Sequence, residues 1–69
     1  MIKIDLLDYG VYLDGNHVAD FDNEEEARRF AYSRVLADTA KGATVINNFT
    51  GEIICTVYEY LSREVRVES

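Results

Sequence analysis

His17 and Cys55 are the residues of this 69-residue chain best suited to nucleophilic chemistry, and each is the single representative of its type. A Cys–His pair that attacks a carbonyl also needs an orienting group and an oxyanion site. The sequence shows neither. Cys55 lies in the middle of the most apolar segment, where a cysteine ordinarily serves as a core residue. We therefore expect no catalytic residues and no enzyme activity.

Alternating acidic residues from Asp20 to Glu26 raise the question of a calcium site. An EF-hand loop needs glycine at its sixth position and glutamate at its twelfth. Counted from Asp20, those positions hold Glu25 and Ala31, so the loop fails both conditions. Zinc needs several Cys or His ligands at short spacing, and a phosphate site needs a glycine-rich segment. The chain has neither pattern, and we predict no metal and no cofactor.

The same acidic residues form a dense cluster of negative charge. Its members are Asp20, Asp22, Glu24, Glu25 and Glu26. The glutamates complement the positive end of a helix dipole, whereas Asp20 and Asp22 precede the helix and add charge that its capping does not require. Two interpretations stay open, because the cluster either keeps the chain soluble or forms a surface for a basic partner.

The net charge favours a basic macromolecular partner. Thirteen acidic and seven basic residues give a net charge of −6, which opposes contact with a polyanion. Direct nucleic-acid binding is therefore disfavoured, and a basic protein is favoured, including one that itself holds nucleic acid. So short a chain predicts a single domain over residues 1–69 with no room for a deep pocket.

Cysteine usage and hydropathy indicate a cytoplasmic protein. One cysteine cannot form an internal disulfide. Residues 1–5 lack the apolar run of a signal peptide, and no segment approaches the roughly 20 apolar residues of a membrane span. We expect a location in the cytoplasm and no contact with a membrane.

The N-terminal segment predicts a β-hairpin. Residues 2–13 read as extended, with apolar positions that change parity near residues 7–10, which indicates a bulge or bend. Asp14-Gly15-Asn16 then favours a tight turn into a returning strand over residues 17–21.

A helix follows the hairpin. Asn23 is a good N-cap with Glu26 as its reciprocal partner, and Gly42 is a plausible C-terminal stop. We predict the helix over residues 24–40. Its apolar stripe consists of Ala27, Phe30, Ala31 and Val35. We expect that stripe to pack on the sheet against Val11, Leu13, Val45, Ile53 and Val57.

The rest of the chain predicts two more strands, over residues 43–47 and 52–61, joined by a turn at residues 48–51. The fold is therefore predicted to be α+β, with a ββαββ layout in which one helix packs on one face of a small antiparallel sheet. Residues 62–69 either pair as an edge strand or fray.

The sheet face opposite the helix is expected to be open and aromatic. Ile54, Tyr58 and Tyr60 alternate with core positions of the last strand, and Tyr12 is a candidate to join them. Exposed patches of this kind often form interfaces, including self-association; with the opposite strand register the tyrosines would be core. We expect the acidic cluster and four apolar or aromatic residues to bind a partner: Tyr32, Leu36, Tyr58 and Tyr60.

In size, acidity and layout, the chain resembles phage-encoded inhibitor proteins of the anti-CRISPR type. The resemblance covers the whole chain and is carried by a ββαβ-type layout, the absence of catalytic residues and surface carboxylates beside tyrosines. It implies that carboxylates mimic the phosphates of DNA on a Lys- and Arg-lined protein surface in the host cytoplasm, while tyrosines anchor the complex. The stretch from Tyr9 to Tyr60 is also similar to small bacterial domains of ββαββ type.

Two other functions fit part of the sequence. A self-assembling structural module would dimerise through the open tyrosine-bearing face and use its charge only for solubility. An RNA-binding sheet would stack bases on the tyrosines, but such platforms are ordinarily set in a basic groove. The negative charge of the chain argues against this second function.

Overall fold

The structure is a computed structural model that describes residues 7–60 and 64–68. In chain order, the elements are β1 (Tyr9–Leu13), β2 (Asn16–Phe21), α1 (Glu24–Leu36), β3 (Gly42–Asn47), β4 (Ile53–Tyr60) and β5 (Glu64–Glu68). The strands form one antiparallel sheet in the order β2-β1-β3-β4-β5. The α+β class is confirmed. The ββαββ layout is wrong, because a fifth strand follows β4.

The fifth strand forms an edge of the sheet. It lies in the segment 62–69, for which the sequence allowed either an edge strand or a frayed tail. Tyr58 of β4 pairs with Arg66, and Val65 packs against the core. The alternation of valine with charged residues therefore gives this strand one apolar face. Some predictions lie outside the described residues: extended residues 2–6, strand residue Leu61, and residues 62, 63 and 69 of the tail.

The β1–β2 hairpin turns at Asp14 and Gly15, as the sequence predicts. Their φ angles are 49° and 87°, in the left-handed region that glycine adopts freely and aspartate tolerates. The Asp14 carboxylate accepts hydrogen bonds from the backbone N–H groups of Lys41 and Gly42 at 3.1–3.3 Å. The tip of the hairpin is thereby tied to the start of β3.

Helix α1 connects two parallel strands. Both β2 and β3 are antiparallel to β1, so they run in the same direction on either side of it. The helix packs on β1, β3 and β4. Its start is confirmed, since the Asn23 side chain accepts hydrogen bonds from the backbone N–H groups of Glu25 and Glu26.

The helix ends earlier than predicted, at Leu36 rather than at residue 40. Asp38 adopts a φ of 63°. The backbone N–H groups of Asp38 and Thr39 donate to the carbonyls of Val35 and Arg34, which is the hydrogen-bond pattern of a Schellman C-cap. The stop is therefore an aspartate in the left-handed region, and Gly42 belongs to β3.

The core lies between α1 and the strands β1, β3 and β4. Its buried members are Val11, Ala27, Ala31, Val35, Ala43, Val45, Cys55 and Val57. Phe30 is half-buried and packs against Phe21, with 5.4 Å between ring centroids. The predicted apolar stripe of the helix is confirmed.

One predicted core residue is wrong. Ile53 is 62% exposed, and Ile54 packs against the core instead. The cause is a bulge, because Val45 pairs with Cys55 whereas Ile46 pairs with Ile53. Ile54 is the extra residue at which the alternation of faces changes. The sequence had predicted that Ile54 would join the tyrosines on the open face, and this prediction is wrong.

Candidate partner-binding surface

Most carboxylates of the predicted cluster gather at one end of the sheet. Phe21 pairs with Tyr9, and Tyr9 pairs with Asn47. The end of β2, the start of α1 and the β3–β4 turn therefore lie side by side, with about 10 Å across the three strands. We call this region the acidic end and define it by its acids: Asp8, Asp20, Asp22, Glu24, Glu25, Glu26 and Glu52.

Two of these acids pair with arginines of the helix. Arg28 Nε lies 2.9 Å from Glu24 Oε2, and Arg29 Nη2 lies 3.0 Å from Glu25 Oε2. Both are i,i+4 pairs on the helix surface. In the part of the chain that the structure describes, no ion pair involves the four other exposed acids. These are Asp8, Asp22, Glu26 and Glu52.

Asp20 differs from the rest of the cluster, because its carboxylate is part of a hydrogen-bond network on the open sheet face. His17 Nε2 lies 2.8 Å from Asp20 Oδ1, and Asn48 Nδ2 donates to the same oxygen at 2.9 Å. Asn48 Nδ2 also donates to the Leu7 carbonyl at 2.8 Å. The hydrogen bond from His17 holds the pKa of Asp20 below its ordinary value, with a smaller contribution from Asn48 and against some desolvation.

Gly10 makes this network possible. It lies opposite Asp20 on β1, and a Cβ atom there would come within 2.5 Å of Asn48 Oδ1 and 3.2 Å of Asp20 Oδ1. A side chain at this position would displace both. The sequence pattern did not reveal the network, since its members come from three separate segments; the one local signal was His17 three residues before Asp20.

The tyrosines lie on the open face as predicted, but their polar groups already have partners within the sheet. The Tyr58 hydroxyl donates to Glu68 Oε2 at 3.1 Å, which raises the pKa of Tyr58 because ionisation would remove that hydrogen bond. The Arg66 guanidinium lies 4.1 Å from the ring centroid of Tyr60. Tyr12 stacks at a tilt on His17, with 5.2 Å between ring centroids.

The structure separates Tyr58 and Tyr60 from the acidic end. Ile53 begins β4 at the acidic end and Tyr60 ends it, about 23 Å away at 3.3 Å per residue. Tyr32 and Leu36 are exposed on the helix, on the other side of the sheet from Tyr58. The predicted partner-binding residues therefore fall on three separate surfaces.

Three exposed apolar residues at the acidic end were missed by the sequence analysis. Phe49 in the β3–β4 turn is 64% exposed, Ile53 at the start of β4 is 62% exposed, and Leu7 before β1 is also exposed. We call this set the apolar tip. The available signal was Phe49 itself, a large apolar side chain in the otherwise polar turn Asn47-Asn48-Phe49-Thr50-Gly51.

Cys55 and His17 are not brought together. Cys55 is buried beneath the helix, and this burial raises the pKa of its thiol. His17 is exposed and stacks on Tyr12 on the opposite face of the sheet. Cys55 therefore has the environment of a core residue, and the thiol of such a residue is a poor nucleophile.

No pocket and no group of three potential metal ligands is found among residues 7–60 and 64–68. Within the same residues, α1 lacks the length and apolarity that a helix needs to cross a bilayer.

Comparison of the chain with protein-family models, with curated proteins and with solved structures finds no match. The resemblance to anti-CRISPR proteins stays a prediction that these comparisons do not test. A function for the domain therefore has to follow from the geometry and charge of its described residues.

Proposed function

We propose that the chain is a non-enzymatic protein-binding domain that meets a basic protein through its acidic end. The observation that supports this proposal most directly is the gathering of seven carboxylates at one end of the sheet. Among residues 7–60 and 64–68, only Glu24 and Glu25 of these acids pair with arginines. Asp20 has a lowered pKa, so this carboxylate is ionised at neutral pH. The partner's surface is rich in Lys and Arg.

The action that fits this surface is inhibition by occupancy. Carboxylates on a rigid scaffold take the places that phosphates occupy on a Lys- and Arg-lined surface, and the partner can then no longer hold nucleic acid. Like charges focused at one end raise the rate of encounter with a basic surface, and added salt lowers that rate. No bond is made or broken in this mechanism.

The predicted resemblance to phage anti-CRISPR inhibitors is consistent with this action in size and charge. Under this proposal the partner is a nucleic-acid-binding protein of the host defence, and the site of action is the host cytoplasm. The competing self-assembly through the tyrosine face receives less support, because Tyr58 and Tyr60 already contact Glu68 and Arg66.

The proposal is tested by affinity capture from the host cell, followed by kinetics with the captured protein. We expect a basic nucleic-acid-binding protein whose association slows as salt rises, and whose nucleic acid competes with the domain. Neutralising two exposed acids in the double variant Asp22→Asn/Glu26→Gln should slow association several-fold, whereas dissociation should change little.

The matched control is Asp38→Asn/Glu64→Gln, which removes the same charge at the opposite end of the sheet. It should slow association less than Asp22→Asn/Glu26→Gln does. Association that ignores both salt and the Asp22→Asn/Glu26→Gln change would reject the proposal. Sedimentation that shows a dimer lost on Tyr58→Ala would favour the self-assembly function instead.

A further inference from the structure

We infer that the apolar tip is the anchor of this interface, and that the partner presents an apolar patch framed by Lys and Arg side chains. The inference rests on the proposed function and adds the residues that hold the complex together. Phe49 and Ile53 are the two most exposed of the large apolar side chains in the described residues. Neither contributes to the buried core.

The turn that carries Phe49 is held in place by backbone hydrogen bonds. Asn47 N–H donates to the Glu52 carbonyl at 2.8 Å, and Gly51 N–H donates to the Asn47 carbonyl at 2.7 Å. The Asn47 side chain accepts from the N–H groups of Phe49 and Thr50 at 2.8 and 3.1 Å. A turn fixed in this way has little backbone entropy left to lose on binding.

The rest of the apolar tip is tied to the same turn. Asn48 N–H donates to the Asp8 carbonyl at 2.8 Å, and Asn48 Nδ2 donates to the Leu7 carbonyl. Ile53 pairs with Ile46 across β3 and β4. The three apolar residues are therefore positioned by one hydrogen-bonded unit, as in a preformed interface centre with anchor residues.

The charge around the apolar tip decides which occupant fits it. Asp8 and Glu52 flank the tip in sequence, and Asp22 follows the strand end beside it. Two copies of this end would place acids against acids, and an anionic membrane or a nucleic acid would be repelled as well. By contrast, Leu36 is exposed between Arg34 and Asp38 in sequence, so its neighbours carry both signs of charge and do not select for a basic partner.

Three synthetic helical peptides of equal length serve as probes in an NMR titration of the isotope-labelled domain. The first carries a row of leucines framed by Lys and Arg, the second replaces the leucines by glutamine, and the third replaces the Lys and Arg by glutamine. We expect the first peptide to bind about tenfold more tightly than either of the others, the effect of one anchor contact. Shifts should centre on residues 7–8 and 48–53.

The double variant Phe49→Ala/Ile53→Thr should bring the first peptide to the affinity of the second, and leave the second unchanged. Leu36→Ala, which removes a side chain of similar exposure (60%), is the matched control and should bind like the wild type. Because all three residues are exposed, their substitution should leave the fold intact, and a thermal melt checks this.

Each other outcome has a definite meaning. If the first and second peptides bind equally, the apolar tip is not the anchor of the interface, and the proposed charge-based function is retained. If the third binds as well as the first, the basic character of the partner is wrong. If neither basic peptide binds, the proposed function itself is rejected, and concentration-dependent sedimentation that Phe49→Ala/Ile53→Thr abolishes would make a second copy the occupant.

Discussion

At the scale of single residues, Asp20 is the acid whose role differs most from the sequence prediction. It was expected, together with Asp22, to add charge that helix capping does not require. Its carboxylate instead joins His17 to Asn48 and so links β2 to the β3–β4 turn. We predict that Asp20→Ala lowers the free energy of unfolding by about 1 kcal/mol, a modest value because the network is partly exposed. Asp22→Ala, the matched control, should stay within about 0.5 kcal/mol of the wild type.

The contribution of Asp20 should also depend on pH. The pKa of Asp20 is lower in the folded state than its ordinary value of 3.8. The stabilisation is therefore complete above pH 3.8 and is lost as the pH falls through the folded-state pKa. Urea unfolding at about pH 6 and about pH 2.5 should show the difference between wild type and Asp20→Ala shrinking at the lower pH. A difference that stays constant would mean that the carboxylate charge is not involved.

The residue scale also shows where sequence patterns fail. Strict alternation placed Ile53 in the core and Ile54 on the open face, and a single bulge reversed both assignments. A bulge depends on pairing with a strand elsewhere in the chain, so the alternation of residues within one strand does not predict its position. The exposure of Phe49 follows from its place in the β3–β4 turn. The sequence predicted that turn, but the exposed side chain was not recognised as a binding residue.

At the scale of elements, the end of the helix offers a direct test. Asp38 holds a φ of 63°, which costs an L-residue other than glycine roughly 1 kcal/mol. Its negative charge also faces the negative end of the helix dipole. We predict that Asp38→Gly raises the free energy of unfolding by about 0.5–1 kcal/mol, measured by urea denaturation.

A matched control for this prediction is Thr39→Gly. Thr39 is the next residue and has no positive φ, so glycine there should only add freedom to the unfolded chain and lower stability. If Asp38→Gly destabilised as much as Thr39→Gly, the left-handed cap would be the wrong description of this helix end.

The two helix ends also differ in how far the sequence determines them. The Asn23 cap and the acidic first turn are local signals, and the helix begins where they predict. The C-terminal end of the helix could not be predicted in the same way. Asp38 enters the left-handed region less readily than glycine does, so an aspartate at this position does not by itself indicate a helix end. The candidate binding residues could not be predicted from local signals either. Pairing between strands that are distant in sequence places Phe49, and not Tyr58, beside the acids.

At the scale of the whole molecule, the strand order predicts a pattern of hydrogen exchange. Strands β1, β3 and β4 each have a neighbour on both sides, whereas β2 and β5 are edges. Backbone amides of β3 should therefore exchange slowest, and outward-facing amides of β2 and β5 fastest. Amide exchange followed by NMR measures this directly. Protection that peaked in β2 or β5 would contradict the order of the strands.

The central position of β3 beside β1 has a consequence for how fast the chain folds. The pairs β1–β2, β3–β4 and β4–β5 are each close in sequence, but Leu13 meets Ala43 only after the whole helix and its flanks have been spanned. Closing a loop of that length costs about 3 kcal/mol of chain entropy, and this cost comes before any stabilisation by the β1–β3 contacts. We therefore expect the β1–β3 pairing to form last and its closure to limit the folding rate.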